Sequence, residues 1–218
     1  MRGFSVNGDR LASHLQRKQY GDFTLTEAVR PALDVPVRPR QGYRIHIYRD
    51  RERKFRLPML TASVSAELLF DTFLSLLEPL GDTLHVVLES SRGQHGDERH
   101  EIRRNSIDAP VLASHFCDFE ELLLNDGCTG VSVLSAKRPM EVQFDEHKLL
   151  TIYAPSLKPF QRILRSMGVR KRRVLPLITE AEHLHHSTEA RADEFDQLAC
   201  RLGVADFDQV LMDDETGY

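Results

Sequence analysis

The 218-residue chain predicts an α+β fold: a mainly antiparallel sheet of about five or six strands, with helices packed chiefly on one face. Three stretches carry that expectation. YRIHIY (43–48) alternates apolar and polar side chains, the period of a strand with one buried face. SVSAELLFDTFLSLLEPLG (63–81) repeats its leucines and phenylalanines at helical spacing. Three strand-like runs, Thr129–Leu134, Met140–Phe144 and Lys148–Tyr153, follow one another with only AKRP and DEH between them. Connections that short permit only antiparallel neighbours. Adjacent strands with helices grouped between them argue against a doubly wound parallel sheet.

From the start of the chain, Asp9 is placed to cap a short helix to about Gln19, with Leu11, Ala12 and Leu15 on one face. Thr24 and Glu27 have capping-box spacing, but Pro31 stops a helix there within two turns. The two prolines of DVPVRPRQG (34–42) favour an extended connector. Residues 1–41 therefore read as a peripheral N-terminal segment, 42–212 as a single α+β domain and 213–218 as a frayed end.

RDRER turns the chain from the first strand into a second, about Lys54 to Leu60. Ser65 is the expected cap of the long helix, Leu69, Phe73, Leu76, Leu77 and Leu80 are its buried stripe, and Pro79 and Gly81 end it. LHVVLES (84–90) is the next strand. The polar run 91–110 is longer than most connections, and predicts either a mobile functional loop or a weak edge strand around His100–Arg104. DFEELLLNDG (118–127) reads as a short helix. After the three-strand meander, Ser156 caps a helix to Met167, with Gly168 as its left-handed stop. A last long helix is expected from Thr179, with Leu184, Thr188, Phe195, Leu198 and Leu202 as its buried stripe.

No apolar run reaches the roughly 18 residues that span a bilayer, and MRGFSVNGDR lacks the apolar stretch of a secretory signal. Cys117, Cys128 and Cys200 are odd in number and widely spaced, which suggests neither a disulfide framework nor a zinc ribbon. These features predict a reduced, cytoplasmic protein without membrane contact. Charge is uneven: residues 1–60 carry 13 Lys/Arg against 6 Asp/Glu, whereas 179–218 carry 2 against 11. Such polarity favours contact with another protein or with a second copy.

TEAEHLHHSTEA (179–190) holds three histidines and three glutamates. On a helix, Glu182, His186 and Glu189 share the solvent face, while His183 and His185 flank the buried stripe on opposite sides. Such a face supplies too few ligands for an enclosed zinc site, so no metal or other cofactor is expected. A metal there has to recruit a ligand from another element or chain.

Weaker catalytic candidates are Cys128, between two glycines at a strand entry, and the histidines His100 and His147. DEHK (145–148) puts two carboxylates and an imidazole in one turn. The phosphate-cradling glycine motifs and the G-x-S-x-G nucleophile elbow are missing from the sequence. Basic candidates for interaction are Arg49, Arg51, Arg53, Lys54, Arg56, Arg92, Arg103 and Arg104, and RKRR (170–173) is a second basic cluster. An overall pI near 6.2 disfavours nucleic acid as the partner.

The functional expectation is a non-enzymatic interaction or regulatory domain that self-associates or binds another protein. The alternatives are a hydrolase or transferase at the 91–110 loop, with His100 or His147 as base and Arg103 or Arg104 binding an anion, and nucleic-acid binding through 49–56.

Overall fold

The structure, a computed structural model, describes residues 10, 13–33, 37–50, 55–92, 100–203 and 205–206. Short strands β1 (Gln19–Tyr20), β2 (Phe23–Thr24) and β3 (Val29–Pro31) precede the long hairpin of β4 (Gly42–Asp50) and β5 (Phe55–Ser63). Helix α1 (Ala66–Leu77) leads into β6 (Thr83–Ser90) and β7 (His100–Asp108), and then α2 (Ala109–Asp118) and α3 (Glu120–Asn125) follow. The meander β8 (Thr129–Ser135), β9 (Glu141–Phe144) and β10 (Leu149–Tyr153) precedes α4 (Lys158–Ser166). The described chain closes with β11 (His183–His185), α5 (Glu189–Leu202) and β12 (Ala205–Asp206).

The fold is α+β, and its main sheet is antiparallel throughout, in the order β12-β7-β6-β8-β9-β10-β5-β4. Among the described residues the sheet has eight strands, more than the expected five or six. The difference lies in β7, a full nine-residue strand on β6 where the sequence suggests a loop or a weak edge, and in the two-residue β12 beside it. Residues 51–54 and 93–99, central to the basic turn and the polar loop, lie outside the described residues.

Alternation sorts the strands into two faces. Leu60, Ala62, Leu84, Val86, Leu88, Val131, Val133, Val142, Leu150 and Ile152 point to one side, where they share a single buried cluster with α1, α2, α4 and α5. At roughly 1.5–3 kcal/mol per fully buried aliphatic or aromatic side chain, this layer dominates stability. Phe73 of α1 stands at its centre, 5.5 Å from the Phe116 ring of α2 and 5.0 Å from the Phe144 ring of β9. The opposite face, including Glu89, Glu101, Ser132, Gln143 and Thr151, is polar. Helices on one face, as expected, leave this polar face for other uses.

Several helix limits follow local chemistry. Gly81 (φ 107°) and Gly168 (φ 75°) adopt backbone conformations that side chains resist, and they end their helices as expected. Ser65 occupies the cap position of α1, but its hydroxyl bonds Glu67 and accepts the Thr24 amide at 2.9 Å. That bond belongs to a seam. Phe23, Leu25, Val29 and Ile178 form a second small cluster, β3 pairs with β11, and the Glu27 amide donates to Asn125 at 3.0 Å. Thr24–Glu27 builds no helix; residues 29–31 are strand instead, because their partner is supplied from 150 residues away. Among the described residues no helix is long and apolar enough to cross a membrane.

Candidate metal centre

Residues 179–190 depart most from expectation. A one-turn 3-10 helix (Ile178–Glu180) is followed by β11, and the long helix starts only at Glu189. Thr188 is its N-cap, accepting the Arg191 amide, so it is no part of a buried stripe. Phe195, Leu198 and Leu202 are buried as expected, whereas Leu184 is 42% exposed. Pairing with β3 outweighs the helical periodicity of the sequence, and the side-chain period in β11 becomes two. His183 and His185 therefore share one face of the strand, where a helix would have parted them.

The third histidine comes from the DEHK turn between β9 and β10. Asp145 shapes the turn: its Oδ1 accepts the amides of His147 (3.0 Å) and Leu149 (2.8 Å). Lys148 closes it with φ 62°, a conformation costly for a non-glycine residue. Its side chain is buried and donates from Nζ to the Thr129 carbonyl at 2.8 Å, which anchors the turn over β8. Burial pulls this amine from 10.5 down to about 8, against the pull of the Asp126, Asp145 and Glu146 carboxylates. The turn thus presents His147 to β11. Ring centroids are 4.8 Å apart for His147–His183, 4.8 Å for His147–His185 and 5.0 Å for His183–His185.

Two of the imidazoles are oriented by a carbonyl acceptor at Nδ1, and the third has a carboxylate near its Nδ1. Nδ1 of His183 donates to the Ala181 carbonyl (2.8 Å) and Nδ1 of His185 to the Gly127 carbonyl (2.5 Å). A carbonyl can only accept, so both nitrogens carry hydrogen and the lone pair of the neutral ring sits on Nε2. Nδ1 of His147 faces Asp145 Oδ2 at 3.5 Å. Carbonyl and carboxylate partners of this kind orient histidines that ligate metals. One ligand atom from each ring lies within 4.8 Å of the other two. Tetrahedral zinc at its usual bond length separates ligand nitrogens by about 3.4 Å, so closure asks for a shift of at most about 0.8 Å per ring. His185 is exposed on one side, but the partial desolvation of its ring lowers its pKa, countered by its bond to Gly127 and reinforced by His147, which favours the neutral ring that a metal requires.

The strand is held by a buried polar network. Arg92, at the exit of β6, donates to the fully buried Asp126 carboxylate and, from Nε, to Ser187 Oγ at 3.2 Å. Burial raises the Asp126 pKa, but the Ser187 and Thr129 hydroxyls and the Arg92 charge outweigh it and hold the group below its ordinary value. The Gly127 amide donates to the His186 carbonyl (2.7 Å), and the His186 amide to Ala28 (2.8 Å). Position 127 accepts only glycine, since a Cβ there would lie 2.3 Å from the Ala28 oxygen.

His147 also lines a polar cleft of about 280 Å³ on the open sheet face, with Glu89, Glu101, Ser132, Gln143, Asp145 and Glu146. The other candidates fall elsewhere. Glu182, His186 and Glu189 are exposed and do not share the histidine cluster. Cys128 is a half-buried free thiol. His100 pairs with Ser90 at the start of β7. Arg103 bonds Asn105 (3.0 Å), and Arg104 donates to the Leu202 carbonyl (2.5 Å) at the end of α5. Arg49 and Arg56 face each other, exposed, at the far end of the β4–β5 hairpin, while Arg51, Arg53 and Lys54 lie outside the described residues. A comparison with known protein families, curated proteins and solved structures found no match.

Proposed function

We propose that this protein is a zinc-class metalloprotein in which His147, His183 and His185 hold one ion and leave its remaining position to water beside the polar cleft. The supporting observation is the convergence of three imidazoles, two with a carbonyl acceptor at Nδ1 and the third with the Asp145 carboxylate 3.5 Å from its Nδ1. Three protein ligands with one open position is the pattern of catalytic rather than structural zinc. Imidazole ligands suit zinc and its transition-metal neighbours, and zinc brings the pKa of bound water to about 7. The reading is therefore a hydrolytic centre, a hydrolase site moved from the 91–110 loop to the 145–148 turn. Four carboxylates around the cleft, with no cation lining it among the described residues, favour a neutral or cationic substrate over an anionic one.

The test is titration of the purified full chain with cobalt(II), read by its visible absorption, and with zinc. One equivalent should bind with tetrahedral cobalt bands. His185→Gln and His147→Gln should each lose the bands while their circular dichroism matches wild type. Absence of stoichiometric binding, or bands that persist in both variants, would overturn the metal centre. Zinc-dependent cleavage of p-nitrophenyl acetate, a neutral ester, tests the hydrolytic half; binding without turnover removes that half alone.

Contact with a second copy, suggested by the opposed charges of the two ends, is a separate proposal. Solution mass against salt tests it, and a monomer at every salt and protein concentration excludes it.

A further inference from the structure

Three arginines of the N-terminal segment and one of the 170–173 cluster, far apart in sequence, meet round one cleft of about 370 Å³: Arg17, Arg38, Arg40 and Arg172. Asp22 is its single acidic lining residue, so the cleft carries a net charge of about +3. Two of the guanidinium groups are held in place by backbone. Arg172 donates Nε to the Gln41 carbonyl at 2.6 Å, and its stem lies against Gly42, where a Cβ would come within 2.8 Å of Arg172 Cδ. Arg17 donates Nε to the Gln19 carbonyl at 3.4 Å and stacks over the Tyr20 ring, 4.8 Å from its centroid. Arg38 and Arg40 are exposed on either side of the buried Pro39. None of the four forms an ion pair among the described residues.

We infer that this cleft is an anion site for an oligophosphate group, carried by a free polyphosphate or nucleotide or by a nucleic-acid backbone. Guanidinium forks match phosphate oxygens in pairs, and a site of charge about +3 needs a compact ligand of similar negative charge, which a mono- or dicarboxylate does not supply. Arg17 lies over one face of Tyr20, whose ring also packs against the Phe23 cluster, so recognition is assigned to phosphate and not to base identity. The site is independent of the histidine centre: its residues come from the N-terminal segment and the 170–173 cluster, and none is a proposed metal ligand.

The experiment is calorimetric titration of the full chain, with metal chelated, using inorganic tripolyphosphate, adenosine triphosphate and a single-stranded oligothymidylate as probes. At least one probe should bind saturably at low salt and weaken steeply as salt rises. The double variant Arg38→Ser/Arg40→Ser removes exposed side chains that have no hydrogen-bond or ion-pair partner among the described residues, and it should weaken binding at least about tenfold, while Arg162→Ser/Arg165→Ser on the exposed face of α4 should change it by less than about twofold. Tighter binding of the oligonucleotide assigns the phosphates to a nucleic-acid backbone, and tighter binding of tripolyphosphate or the nucleotide assigns them to a small ligand. No binding of any probe, or equal loss in both double variants, would overturn the inference.

Discussion

The carbonyl of Gly127 accepts the Nδ1 hydrogen of His185 across 58 residues of sequence, at 2.5 Å. One residue thus fixes the tautomer of a candidate ligand while its own amide holds the His186 carbonyl at 2.7 Å. The DGC turn and β11 are one positioning device.

Gly127→Ala drives a methyl group to within 2.8 Å of backbone atoms of His186 and closer still to Ala28. Neither backbone can yield without separating β3 and β11 from the turn. We expect a loss of about 3 kcal/mol in urea unfolding, near the upper end for overpacking, together with weakened cobalt binding. Wild-type stability and metal affinity in this variant would show that the close approach is unimportant.

Asp126 makes a buried contribution to the pH dependence of stability. Its folded pKa lies below the unfolded value of about 3.9, so its contribution is complete above roughly pH 4 and is lost as pH falls through the folded value. Asp126→Asn leaves the Arg92 charge facing a neutral amide and should cost about 3 kcal/mol at pH 7. The gap between wild type and variant should narrow in acid below pH 4. A gap that stays constant from pH 7 into acid would remove Asp126 as the titrating group.

Thr188→Ala should cost about 1 kcal/mol, because the hydroxyl caps α5, whereas Thr179→Ala, on an exposed position, should change stability by less than about 0.5 kcal/mol. Leu184→Ala belongs with Thr179: a partly exposed strand residue loses far less than the 2–5 kcal/mol of a core leucine. Thermal melts of the three variants decide between a helix beginning at 179 and one beginning at 189.

Phe73→Ala removes a fully buried ring that touches one helix and one strand besides its own helix. A loss of about 3–5 kcal/mol is expected, in a single cooperative transition. A loss under about 1.5 kcal/mol would mean that α1, α2 and β9 do not share one core.

Legibility differed between the fold and the site. The meander, α1 and the glycine stops were readable because each depends on side chains within one short window, where alternation, helical spacing and positive φ leave local marks. The α2 helix left little local mark: Ala109–Asp118 buries only Leu112 and Phe116, too thin a stripe to establish a helical period. The 183–185 strand was hidden for a related reason. Three residues cannot establish a period of two, and helical spacing reached back through them from Phe195 and Leu198. His-Leu-His alternation and the cap-forming Thr188 were the local signals that could have moved the helix start to 189. His147 was visible as a candidate, but as a base in a turn and not as the companion of His183 and His185.

By itself the sequence determined an α+β chain with an antiparallel meander, helices on one face and a histidine-rich stretch needing a ligand from elsewhere. Tertiary structure alone decided that β3 would pair with β11, turning His183 and His185 to the same side, and that the Asp145 turn would set His147 between them. It alone drew Arg17, Arg38, Arg40 and Arg172 into one cleft. The physical reason is common to both sites. Local spacing records the interactions a segment makes with itself, whereas ligand geometry and charge clustering depend on pairings between segments more than a hundred residues apart.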